Sequence, residues 1–138
     1  MSENIHIRAY FIIEKVNVKR FKKLIREMSE VVETNEPDTL EYRFYLNEEG
    51  TRCIVHETYA DSKATLLHNY SVASKTILPS IFNIAQLNRL DVYGNPNDEL
   101  KKVLAGLNSD TFNLFTGFSR KNWITELDII NILSLFID

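Results

Sequence analysis

The sequence has little of what usually announces a chemistry. Its 138 residues hold one cysteine, Cys53, one tryptophan, three prolines and four glycines. A lone thiol excludes an intramolecular disulfide and suits a reducing compartment. With so few glycines there is no phosphate-cradling loop, and no G-x-S-x-G elbow occurs. Nucleotide cofactors and serine hydrolysis are therefore poorly supported. No apolar run reaches the length that spans a bilayer. The N-terminus, MSENIHIRAYFII, lacks a basic leader and a small-residue cleavage site, so it reads as a first strand rather than a signal peptide. Basic residues are not in excess either. Lys and Arg number 16 against 19 Asp and Glu, a formal net charge of −3 that leaves no footprint for nucleic acid.

What is present is globular: 44% hydrophobic and 25% charged residues, in a chain long enough to bury a core. A soluble, cytoplasmic protein is expected. Ile5, Ile7, Ala9, Phe11 and Ile13 alternate with His6, Arg8 and Tyr10, the pattern of a strand with one apolar face. After Asn17, an expected N-cap, Val18, Phe21, Leu24, Ile25, Met28, Val31 and Val32 follow helical spacing, and the run stops at TNEPD, where Pro37 disfavours helix before it. TLEYRFYL and TRCIVHETYA alternate around NEEG and make a hairpin. Asp61 can cap a helix with Ala64, Leu67 and Tyr70 on one side. A second helical piece is expected over Ser74–Ala85, bent or restarted near Pro79, and LNRLDVYG reads as a fourth strand.

The order β-α-β-β-α-β predicts an α+β, ferredoxin-like domain over residues 1–95: an antiparallel four-stranded sheet with helices on one face. A sheet face left uncovered in this way suggests a homodimer. Residues 96–138 form a helical C-terminal extension, with Leu100, Val103, Leu104 and Leu107 facing inward. Its last stretch, NWITELDIINILSLFID, is apolar at ten of seventeen positions. There Ile124, Leu127, Ile130, Leu133 or Ser134, and Ile137 can share a helical face with Trp123 at its start, and the extension is expected to pack on the domain or on a dimer partner.

EPDTLEYRFYLNEEGTRCIVHETYADSKATLLHNY resembles the second and third strands of the antibiotic biosynthesis monooxygenase (ABM) domain family, quinol monooxygenase-like proteins that form dimeric α/β barrels. The third strand ends in Glu-x-aromatic, and a helix His follows nine residues after that aromatic. The resemblance covers about residues 5 to 93. It implies oxygenation of a quinol or phenolic aromatic by dioxygen with no cofactor. Its haem-degrading branch typically uses a Trp and a His near the second helix and an Asn on the first strand. Here the one Trp is Trp123 in the tail, and Asn4 precedes the first strand, so haem degradation is not expected.

Cofactor-independent oxygenation needs a base, an apolar pocket and a donor for the developing anion. His68, at i+4 from the core-facing Ala64, is the candidate base; its plainer alternative is a half-buried His bonded to backbone. Glu57 and Tyr59 share a face with Cys53 and Val55. A salt bridge to Arg8, Arg43 or Arg89 is the favoured account of Glu57, and a second catalytic group the sharper one. Tyr59, Tyr42 and Phe44 are candidate substrate-binding residues, against the commoner role of strand aromatics as core. His56 and Cys53 point to opposite faces and cannot form a dyad. His6, His56 and His68 lack metal-ligand spacing, so no metal site is expected. The expected partners are a small aromatic substrate, dioxygen and a second copy, without nucleic acid or membrane. A ligand-binding or stress-associated dimer without turnover is the alternative.

Overall fold

Nine residues of strict alternation, Ile5–Ile13, become the central strand β1, with every odd position buried. A computed structural model describes residues 4–120 and 126–137. Helix α1 (Val18–Asn35) lays Phe21, Leu24, Ile25, Met28 and Val32 on the sheet. Strands β2 (Thr39–Leu46) and β3 (Arg52–Tyr59) form the expected hairpin. Gly50 in its turn has φ +76°, and a Cβ there would meet Val18 Cγ1 at 2.6 Å, so both the turn and the approach of α1 require glycine. Then come α2 (Ser62–Asn69), α3 (Val72–Thr76), α4 (Leu78–Phe82), β4 (Ala85–Tyr93), α5 (Asp98–Ala105), β5 (Asp110–Phe112) and α6 (Glu126–Ser134).

The sheet order is β2-β3-β1-β4-β5, which is the ferredoxin-like arrangement with one strand added. The expected sheet was four-stranded and antiparallel. β5, from the C-terminal extension, pairs parallel to β4 and makes the sheet five-stranded and mixed. Helix α5 reaches the same core through Leu100 and Leu104. Leu107, expected inward, lies past the end of α5 and is half-exposed.

Other corrections are local. Asn17 makes no side-chain cap, because Lys15–Asn17 is already a 3-10 turn that runs straight into α1. The helical piece expected over Ser74–Ala85, bent or restarted near Pro79, does restart there, but it starts two residues earlier and ends at Phe82, as α3 and α4. Ser71 caps α3 by accepting from the Ser74 amide, and Pro79 sits in the first turn of α4, where a missing N–H costs nothing. On α2 the buried residues are Ala64, Thr65 and Leu66, whereas Leu67 and Tyr70 are exposed. Eight residues make only two turns, and the turn capped by Asp61 directs 64, 65 and 68 to the sheet rather than 64, 67 and 70.

Trp123 and Ile124 of the expected tail face lie outside the described residues, as does the side chain of Leu127. Ile130, Leu133 and Ile137 are exposed in the single chain, as are Leu114, Phe115 and Phe118 before them. No described helix is long and apolar enough to cross a membrane.

Candidate active site

The inner sheet face and the helices enclose a cavity of about 290 Å³, and Tyr42, Phe44, Glu57, Tyr59 and His68 all line it. The register explains why. Glu57 pairs with Ile7 on one side and Tyr42 on the other, and Phe44 pairs with Val55 one row along. Strand periodicity then sends all of these side chains inward together.

His68 arrives from α2. Asp61 fixes the helix start by accepting from the Ala64 amide at 2.8 Å, and Thr65 Oγ1 donates to the Asp61 carbonyl at 2.9 Å. At the other end Ser74 Oγ donates to the His68 carbonyl at 2.6 Å, which ties α3 to the end of α2. The imidazole is thus held from both sides. It lies 5.3 Å, centroid to centroid, from each of the Tyr42 and Tyr59 rings, and Tyr42 meets Phe44 edge-on at 5.0 Å.

A second acid, Glu36, completes the cluster. His68 Nδ1 is 2.7 Å from Glu36 Oε1, and its Nε2 is 3.9 Å from Glu57 Oε1. The side chains of Glu36, His68 and Glu57 are 8%, 13% and 11% exposed. Tyr59 donates its hydroxyl to Glu57 Oε1, and Thr39 Oγ1 donates to Glu36 Oε1 at 3.0 Å. Glu36 takes this position because Pro37 forces it out of α1 with φ −127°. The hairpin register, with Thr39 opposite Tyr59, brings that corner to the end of β3.

The favoured salt bridge of Glu57 with Arg8, Arg43 or Arg89 does not form. These arginines lie on the outer face, where Arg43 pairs with Glu41 at 3.6 Å and Arg89 with Asp91 at 2.9 Å. The plainer account of His68, a hydrogen bond to backbone, also gives way, since its ring meets a carboxylate. Cys53 is buried, and burial pushes its thiol up to about 12. Among the described residues no group of three or more His, Cys, Asp and Glu is arranged to hold a metal.

The environment separates the three titratable groups. Burial raises the Glu57 carboxyl above its usual range, against the opposing pull of His68 and the Tyr59 hydroxyl. Burial opposes the imidazolium of His68, but the Glu36 hydrogen bond and the charges of Glu57 and Glu36 outweigh it and raise its pKa. Burial likewise opposes the Glu36 carboxylate, yet His68 and the Thr39 hydroxyl hold it below its usual range. These shifts favour a Glu36 carboxylate facing a His68 imidazolium, with Glu57 as the more basic carboxyl beside them. Burial and Glu57 push the Tyr42 and Tyr59 phenols well up, so both stay neutral.

No family model matches the chain, and no curated protein matches its sequence. Solved structures do. A candidate antibiotic biosynthesis monooxygenase from Bacteroides thetaiotaomicron is 19% identical, over 86% of this chain and 97% of that one, with a TM-score of 0.61. Another, from Nitrosomonas europaea, is 16% identical over 69% and 92%, also with a TM-score of 0.61. The chain thus has the ferredoxin-like α+β fold of these ABM structures, and the resemblance carried by residues 5 to 93 is borne out in the fold. The chain is also similar to MupZ from Pseudomonas fluorescens, at 29% identity over 91% of this chain and 95% of that one, with a TM-score of 0.76. A match of 91% runs past Tyr93, so that similarity takes in part of the C-terminal extension.

Proposed function

We propose that the protein is a small monooxygenase of the ABM type that oxidises a quinol or phenolic aromatic without a cofactor. The observation that carries this reading is the chain Glu57–His68–Glu36 buried at the edge of an apolar cavity. The ABM-type fold supports it.

The geometry divides the roles. With Nδ1 committed to a charged Glu36, His68 is suited to stay an imidazolium and stabilise an anion. Glu57, made more basic by burial, is suited to take the substrate hydroxyl proton. The expected base, His68, thereby becomes the cation beside the phenolate, and Tyr59 holds the carboxyl that accepts the proton. The phenolate reduces dioxygen in a site screened from water. One oxygen atom enters the ring, giving a hydroxyquinone from a quinol or a quinone from a phenol, and the other leaves as water. Tyr42 and Phe44 flank the ring. The outer sheet face, with Tyr10, Tyr45, Ile54 and Tyr93, is the surface on which a second copy would pair.

Oxygen consumption with a panel of hydroquinones tests the reading. Glu57→Gln is expected to lower the rate by about 100-fold or more, and His68→Ala by a comparable factor. Unchanged rates in both variants would overturn the assignment of roles, and no oxygen uptake with any quinol would overturn the oxygenase. Turnover that continues at the same rate without dioxygen would keep the acid–base site and remove the oxygen chemistry. A binding domain without turnover needs the cavity but has no use for a buried titratable chain. A monodisperse monomer at low concentration would refute the dimer.

A further inference from the structure

The cavity is unequal along its length. Its polar lining groups, Tyr42, Glu57, Tyr59, Thr65, His68, Asn69 and Ser74, gather at one end, from the end of β3, the facing Tyr42 of β2, and α2–α3. From there the floor continues along the sheet through Ala9, Val55 and Phe44 to Phe11 and Leu87. Ile7, beside Glu57, and Phe11 are four residues apart on β1. At about 3.4 Å per residue the floor is therefore about 14 Å long. Ile25, Leu78, Ile81 and Leu104 roof it. Phe82, half-exposed, meets Phe11 in a tilted ring contact at 6.1 Å between centroids and brings the far end to the surface. A single ring set against Glu57 and His68 would occupy only the inner part and leave the Ala9-to-Phe11 length open. Among the described lining residues the groups able to carry charge are Glu57 and His68. His68 is already paired with Glu36, so a carboxylate placed there would face Glu57 without a free cation.

We propose that this site takes an uncharged molecule with a long apolar tail, an alkyl-substituted phenol or quinol. Its hydroxyl meets Glu57 and His68, and its tail lies along the Ala9–Val55–Phe11 floor toward Phe82. The orientation rests on the acid–base reading above, but binding does not require turnover.

The test is calorimetric binding of 4-alkylphenols of increasing chain length to the native protein, with straight-chain fatty acids as the charged counterpart. Affinity is expected to rise about fourfold per methylene, the ~0.8 kcal/mol of burying one, and then level off when the tail reaches Phe82. Fatty acids of equal length should bind at least tenfold more weakly. Leu87→Trp, at the half-buried far end, should move the plateau to shorter tails, and the native series decides the matter even if that variant does not fold. Affinity independent of chain length, or fatty acids binding as tightly as the phenols, would overturn the proposal. Because binding is read without oxygen, loss of the oxygenase reading alone would leave the chain-length series intact.

Discussion

Two histidines, His68 beneath the sheet and His56 on its outer face, have opposite surroundings. His68 lies between two carboxylates, and their influence raises its pKa above the ordinary 6.5. His56 meets the Tyr45 ring at a tilt, 4.7 Å between centroids, and faces Arg8 and Arg43 across the ladders; burial and those two arginines lower its pKa despite Glu41. Strand parity separates the two environments, because Glu57 and His56 are neighbours in sequence and point to opposite faces. The inner face collects a few titratable groups in an apolar enclosure, where each is held by another. The outer face leaves most of its charges in water, where they are screened, with the buried Asp91 held by Arg89 as the exception. Only the first arrangement has the means to move a proton against an apolar ligand.

The largest expected contrast is in stability. Glu36→Ala removes the partner of a buried imidazole and of the Thr39 hydroxyl, and should cost about 1–3 kcal/mol in denaturant unfolding. Glu41→Ala removes a partly exposed partner of Arg43 and a long hydrogen bond from Thr58, and should change stability by no more than ~0.5 kcal/mol. Equal losses in the two variants would mean that the inner cluster is no better organised than the surface pairs.

A smaller contrast is expected in the pH dependence of stability. His68, with its raised pKa, contributes stability that is complete below 6.5 and lost as pH rises through its folded value. Glu57, also raised, favours its protonated form; its contribution is complete below 4.5 and lost as pH climbs through its folded value. Glu36, lowered, contributes above 4.5 and loses that stability as pH falls through its folded value. Together the three place the maximum on the acid side of neutrality. His68→Gln should flatten the decline above pH 6.5. His56, lowered, acts in the opposite sense: its share is complete above 6.5 and is lost as pH falls, so His56→Gln should leave the alkaline limb alone. Unfolding midpoints across the range would show an unaltered alkaline limb in His68→Gln if the cluster is misassigned.

The sequence carried most of the fold because its signals are local. Alternation in Ile5–Ile13, the helical spacing from Val18 and the turn at Gly50 each fix an element without reference to the rest. The inward set Tyr42, Phe44, Glu57 and Tyr59 followed from the same parity, and His68 from its i+4 relation to Ala64. Glu36 did not, since it is 32 residues from His68 and sits in a segment legible only as a helix stop. The signal existed in combination: Pro37 ejects the preceding residue from the helix, and the hairpin pairing carries that corner to the end of β3. The arginine pairing assigned to Glu57 failed for a related reason. Arg8, Arg43 and Arg89 are near in the ladder but on the other face, and proximity in a sheet has no value without parity. β5 was missed because three residues after a helix carry too short a pattern to mark a strand.

The smallest effect is the most discriminating, because it reads the two histidines separately. Proton titration followed by NMR should place His68 above and His56 below the ordinary 6.5 in the same sample. Glu36→Gln keeps the shape of the corner while removing its charge, so the His68 titration should move down toward the ordinary value. His56 lies across the sheet from that substitution and should not move. A downward shift confined to His68 requires that Glu36 hold the proton on its ring, which a merely structural contact would not do. Should both histidines shift alike, or neither, the carboxylate at the α1–β2 corner is not what sets the charge of the site.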